Sequence, residues 1–119
     1  MKPVTPNPFL RLWKATFYSL AGLKAAFVHE QAFRLEVYLL PLITAAAFYL
    51  TDANLERALL VGSWIIVMLM ELLNSAIEAV VDRFGGEQHE LSGRAKDIGS
   101  AAVMVALMFA IVTWLGVLV

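Results

Sequence analysis

An all-α integral membrane protein, with three transmembrane helices behind an N-terminal amphipathic surface helix, is what this 119-residue sequence predicts. Three observations carry that expectation. Sixty-one per cent of the residues are hydrophobic and the mean hydropathy is +0.75, well above the roughly 45–50% apolar share of a soluble domain. A chain this short has too little interior to hide so much apolar surface, so lipid must solvate much of it. Finally, residues 98–119 hold no charged side chain, which passes the spanning test unaided.

The elements follow in order. Residues 1–8 carry Pro3, Pro6 and Pro8 and read as an irregular tail rather than a cleavable signal peptide. From residue 9 to 27, Phe9, Trp13, Phe17, Leu20, Leu23 and Phe27 recur every three or four positions, with Arg11, Lys14, Ser19 and Lys24 between them. A basic helix with Trp and Phe on its apolar side suits a membrane interface. A first span is expected over about 30–50; it starts polar at Glu30, Arg34 and Glu36 and contains Pro41, which a membrane helix tolerates when neighbours satisfy the freed carbonyl. TDANLER, 51–57, reads as a turn with Asp52 or Asn54 as N-cap. The second span, about 54–84, and the third, about 92–119, flank a polar connection in which Gly85 and Gly86 mark a helix stop.

Lys and Arg set the expected orientation. Five lie at or before Arg34, three lie between residues 83 and 97, and the 51–57 turn holds only Arg57. The positive-inside bias places the N-terminus and the 83–97 connection in the cytoplasm and the C-terminus outside. A net charge of −1 gives no reason to expect a nucleic-acid partner. The absence of cysteine excludes disulfides and thiolate chemistry.

The chemistry concentrates in the second span. Glu71, Asn74, Glu78 and Asp82 recur at helical spacing on one face of it. Carboxylates inside a span are expensive unless they face protein, metal or ligand. Glu30 and Glu78 together suit a hard divalent cation such as Mg²⁺, which takes one or two protein carboxylates and completes its shell with water and phosphate oxygens. Arg11 and Lys96 offer positive charge to phosphates, and Glu87, His89 and Glu90 are placed to meet a sugar or base. Glu71, about 10 Å deeper than Glu78 by helix rise, is placed to take a proton from a hydroxyl presented by the bilayer. Simpler roles exist for several of these groups. Glu30 has the chemistry of a helix cap, His89 that of a solvated loop residue, and Lys96 with Asp97 that of a membrane-end anchor. Gly99, Ser100, Ala101 and Ala102 form a small-residue patch suited to close helix packing. No GxxxxGK[ST] loop or kinase-type glycine loop is present.

Three stretches resemble a known family. ELLNSAIEAVVDR at 71–83, HELSGRAKDIGSAAV at 89–103 and GLKAAFVHEQAFRLE at 22–36 are similar, in order, to the motifs of the small integral-membrane diacylglycerol kinases of Gram-negative bacteria. The resemblance implies a homotrimer with active sites shared between subunits, and transfer of the γ-phosphoryl group of ATP to diacylglycerol with Mg²⁺ as cofactor. It implies Glu71 as catalytic base, with Asn74 and Asp82 at positions important for activity, and Glu30 and Glu78 as metal ligands. Nucleotide contacts would fall to Arg11, Tyr18, Glu30, Glu78, Glu87, Gln88, His89, Lys96 and Asp97. Lipid contacts would fall to Arg11, Ala15, Ser19, Leu20, Lys24, Phe27, Ala32, Glu36, Glu71, Ser100 and Trp114. His29, Leu20 and Gln88 depart from the family's usual residues. The place implied is the inner membrane. Two other readings compete: a polyprenol kinase of the same fold acting on undecaprenol, and a small ion-coupled transporter.

Overall fold

The computed structural model describes residues 7–84 and 89–119 and, within them, four α-helices. These are α1 (Pro8–His29), α2 (Gln31–Leu50), α3 (Asn54–Asp82) and α4 (Glu90–Leu118). The three helices α2, α3 and α4 are each long and apolar enough to cross a membrane, so the chain is a membrane protein. The expected stop at Gly85 and Gly86, and the site positions Glu87 and Gln88, lie outside the described residues, as do residues 1–6.

Local chemistry explains where the helices begin. Pro8 opens α1 rather than preceding it, because its fixed φ suits the first helical position and its missing N–H is unneeded there. Asn7 caps that end, its Oδ1 accepting the Phe9 N–H at 2.9 Å. At the other side of the bundle, Ala53 is the N-cap of α3, in place of the expected Asp52 or Asn54. The N-cap of α3 has no side-chain capping bond; Thr51 instead holds the N-cap residue in place. Its hydroxyl accepts the Ala53 N–H at 3.2 Å and donates to the Glu56 carboxylate. Arg57 then closes the turn, donating to the Thr51 carbonyl at 2.9 Å and lying 4.3 Å from the centre of the Phe48 ring.

Helices α2, α3 and α4 run alternately up and down, with α3 packed against both others. On α4, Ala106 and Ala110 are small enough to let the backbone close on Val67 of α3, and Trp64 and Met70 fill in around them. Two indoles tie the helices together. Trp114 Nε1 donates to the Leu60 carbonyl at 3.1 Å, joining α4 to α3, and Trp64 Nε1 donates to the Glu36 carbonyl at 3.2 Å, joining α3 to α2. The second contact falls one residue before Val37, whose carbonyl loses its helical partner because Pro41 has no N–H. Helix α2 continues through Pro41 without a break. Most of α1 lies on the outside, with Ala26 its one buried residue.

Candidate active site

The site begins at the joint between α1 and α2. A single extended residue, Glu30, ends one helix and starts the next, with φ −112° and ψ 107°. Its backbone N–H donates to the Ala26 carbonyl at 2.8 Å. The side chain of Arg34, one turn into α2, reaches back to the Phe27 carbonyl at 3.0 Å and the Val28 carbonyl at 3.1 Å. Those carbonyls belong to the last turn of α1 and have no helical partner of their own. A charged guanidinium is a strong donor for them. Arg34 thus sets the angle at which α1 leaves α2. Glu30 occupies the expected cap position of α2, but its side chain makes no capping bond, which leaves its carboxylate without a partner among the described residues.

The other half of the site lies on α3. Glu71 and Glu78 are half-buried and Asn74 is buried. The Asn74 amide Nδ2 donates to Glu78 Oε1 at 3.2 Å across one helical turn, which fixes one carboxylate oxygen and leaves the other without a partner among the described residues. Glu71 lies within electrostatic reach of Glu78 and Glu30, and Glu36 within reach of Glu71. Four carboxylates from α2, α3 and the α1–α2 joint therefore share one end of the bundle. Glu36 is buried, and its Oε1 has no hydrogen-bond partner among the described residues.

A groove of about 660 Å³ runs between α1 and α3, walled by Ser19, Gly22, Ala26, Glu30, Ser75 and Ala79 among others. Small residues on both helices keep it open. Ser75 is buried and its hydroxyl has no partner among the described residues.

Several expected residues stand apart from the carboxylates. Asp82 ends α3 and pairs with Lys96 Nζ at 3.1 Å. Lys96 is therefore bound to α3 rather than to its chain neighbour Asp97, which is exposed. His89 is the N-cap of α4, its Nδ1 accepting the Leu91 N–H at 3.0 Å, so it has a structural role where the sequence suggested only solvation or ligand contact. Arg11 lies 19 residues before Glu30, about 28 Å along a straight helix, and it is exposed together with Ala15, Tyr18, Ser19, Leu20 and Lys24. Phe27 is half-buried, edge-on to Tyr38 at 5.7 Å, while Ala32 and Ser100 are exposed. Trp114 sits beside Leu60, about 16 Å along α3 from Glu71. One chain does not bring Trp114 or Arg11 to Glu71.

Three residues of the site gave no sign of their role in the sequence. Arg34 and Ser75 carry no local signal, because the carbonyls that Arg34 reaches lie on another helix and the groove that Ser75 lines forms only where α1 meets α3. Gly99 was visible within a small-residue patch. Its neighbour was not: a methyl group at Gly99 would overlap the Asn74 carboxamide oxygen and stand 3.6 Å from Ile77 Cδ1.

Glu30 and the open oxygen of Glu78 offer hard anionic donors of the kind a Mg²⁺ ion takes in pairs. Among the described residues no group of three or more His, Cys, Asp or Glu gathers as a self-sufficient metal site. The donors present fit an ion that draws the rest of its shell from water and phosphate.

These features define a class: a small helical membrane protein whose acidic side chains gather toward one end of the bundle. The model of the prokaryotic diacylglycerol kinases matches residues 17–118. The diacylglycerol kinase of Escherichia coli K12 is 53% identical over 106 residues, covering 89% of this chain and 87% of the relative. That of Haemophilus influenzae is 50% identical over 107 residues, covering 90% and 91%. That of Pseudomonas aeruginosa is 47% identical over 121 residues, covering 97% and 98%. The chain belongs to the prokaryotic diacylglycerol kinase family.

Proposed function

We propose that this protein transfers the γ-phosphoryl group of ATP to the free hydroxyl of diacylglycerol, giving phosphatidic acid and ADP. The observation that carries this reading is the stagger on α3. Glu71 lies two turns further into the span than Glu78, and Asn74 between them holds one Glu78 oxygen at 3.2 Å. A lipid hydroxyl arrives from the bilayer and ATP from the aqueous side. An enzyme joining them needs a proton acceptor inside the membrane and a phosphate-binding centre at its edge.

In the step itself, the lipid hydroxyl oxygen forms a bond to the γ-phosphorus while the bond to the β–γ bridging oxygen breaks. ADP leaves with that oxygen, and the hydroxyl proton passes to the Glu71 carboxylate. Glu30 and Glu78 would hold Mg²⁺, which supplies positive charge against the phosphate oxygens. Glu36, buried beside Glu71, lines the lipid side. Lys96 is an exposed cation at the aqueous end, available to a phosphate once its pair with Asp82 opens. Catalysis of this kind is largely positioning and charge neutralisation.

Further parts of the reading concern assembly and placement. The protein works as a homotrimer in the inner membrane, with α1 lying amphipathically on the cytoplasmic surface, the N-terminus and catalytic end cytoplasmic and the C-terminus outside. Two features support this. Arg11 and Trp114 are remote from Glu71 within one chain, so a site that uses them draws them from neighbours. Phe9, Trp13, Phe17, Leu20 and Leu23 of α1 are all exposed, as an interfacial helix requires.

The test is direct. Purified protein in lipid nanodiscs receives γ-labelled ATP with diacylglycerol and undecaprenol together. Label in phosphatidic acid is the expected outcome. Label only in undecaprenyl phosphate overturns the acceptor, and label in neither lipid overturns the reaction. Chemical cross-linking in the same nanodiscs checks the trimer.

A further inference from the structure

We propose that Gly99 is a positioning residue for the phosphoryl-transfer site, acting through Asn74 on Glu78. Four observations join in this. Gly99 is buried where α4 crosses α3. A Cβ there would overlap Asn74 Oδ1, with Asn74 Cγ at 3.3 Å. Asn74 is itself 7% exposed, and its Oδ1 has no hydrogen-bond partner among the described residues. Its Nδ2 is committed to Glu78 Oε1.

The geometry of a carboxamide links these facts. Its oxygen and nitrogen lie in one plane on one carbon, so fixing the oxygen fixes where the N–H groups aim. Between Gly99 and Asn74, the oxygen is confined by the α4 backbone rather than by a donor. Carbon-bound hydrogens of that backbone are the contacts such a site offers, and they are weak. Confinement on the oxygen side, together with the Nδ2 bond to Glu78 on the other, therefore holds the rotamer. A methyl group at position 99 displaces the oxygen, and the carboxamide must turn about χ2 or swing about χ1. Either motion takes Nδ2 off Glu78 and frees that carboxylate to rotate. The nearby glycines differ: Gly22, Gly62, Gly93 and Gly116 have nothing within 4 Å of an added Cβ, so Gly99 alone among the described glycines is held to its size by a neighbour.

The proposal rests on the kinase reading for its activity assay, and a second readout stands apart from it. Gly99→Ala is made alone and with Asn74→Ala, and each variant is purified as the assembled protein. With both substrates saturating, Gly99→Ala should lower kcat on the order of 10²-fold, the scale set by an ångström of misplacement, while the KM for diacylglycerol stays unchanged. In thermal unfolding, Gly99→Ala should lower the midpoint in the parent chain and leave it unmoved in the Asn74→Ala background, where the overlapped group is gone. Where Gly99→Ala fails to assemble, the double variant should assemble. Wild-type kcat in Gly99→Ala overturns the proposal. So does an equal loss of midpoint in both backgrounds, or a double variant that still fails to assemble. If the wild-type chain makes no phosphatidic acid, the kinase reading falls, and the thermal cycle still decides whether Gly99 acts through Asn74.

Discussion

Lys96 on α4 and Asp82 at the end of α3 form an ion pair at 3.1 Å that bridges the two helices on either side of the 83–89 connection. Both side chains are well exposed, at 43% and 64%. A pair so open contributes little to stability, typically under about 1 kcal/mol. On the kinase reading proposed above, Lys96 leaves this weak pair for a phosphate of the nucleotide.

Lys96→Met should therefore raise the KM for ATP by about tenfold or more, the loss of one charge-assisted contact to phosphate. Thermal stability should change little. Steady-state kinetics over a range of ATP concentrations checks the first expectation, and an unchanged KM removes Lys96 from the nucleotide site.

Glu71→Gln keeps the shape of the side chain and removes its capacity to take a proton. The expected loss in turnover is about 10²–10⁴-fold, the usual contribution of a general base. Assembly should be unaffected, as judged by size-exclusion chromatography in detergent. Turnover at the wild-type level would assign the proton to another acceptor, with Glu36, a buried carboxylate within electrostatic reach of Glu71, to examine next.

Glu30→Gln and Glu78→Gln test the pair of hard donors, one at the α1–α2 joint and one on α3. Each should shift the Mg²⁺ activation curve to higher concentration, since each removes one anionic ligand. A titration of rate against free Mg²⁺ reads this. Two curves superimposed on the wild type would show that the ion is held elsewhere.

Arg34→Ala releases the Phe27 and Val28 carbonyls at the α1–α2 joint. Two charge-assisted bonds are lost, and about 2 kcal/mol of stability is the expected scale. Arg34→Lys should recover only part, because a point charge cannot reproduce the reach of the guanidinium fork. Spin labels at Leu20 and Val80, both exposed, should report a broader spread of α1–α3 distances in Arg34→Ala. An unchanged distribution would mean that the joint is set by the backbone alone.

Much of the fold was legible because lipid imposes simple demands. Long apolar runs interrupted by TDANLER and by the polar stretch near residue 90 mark helices that satisfy their own backbone polar groups. The acidic stripe was legible for a related reason: carboxylates at helical spacing inside such a run are too costly to be incidental. Partners across helices were harder to see. Nothing local says that Ala53 rather than Asp52 or Asn54 takes the N-cap position of α3, since the backbone angles there, and not a capping oxygen, decide it. His89 reads as a loop residue until α4 is seen to begin one residue later.

The helices, their order, the membrane environment and the carboxylates available for chemistry are all written along the chain, because periodicity and transfer free energy act locally. Three relationships are not: Arg34 bracing α1, Lys96 facing Asp82, and Gly99 lying against Asn74. Those are contacts between residues 6 to 25 positions apart. They depend on how helices cross, which is fixed by the sizes of side chains on both partners at once and so emerges only when the helices are packed together.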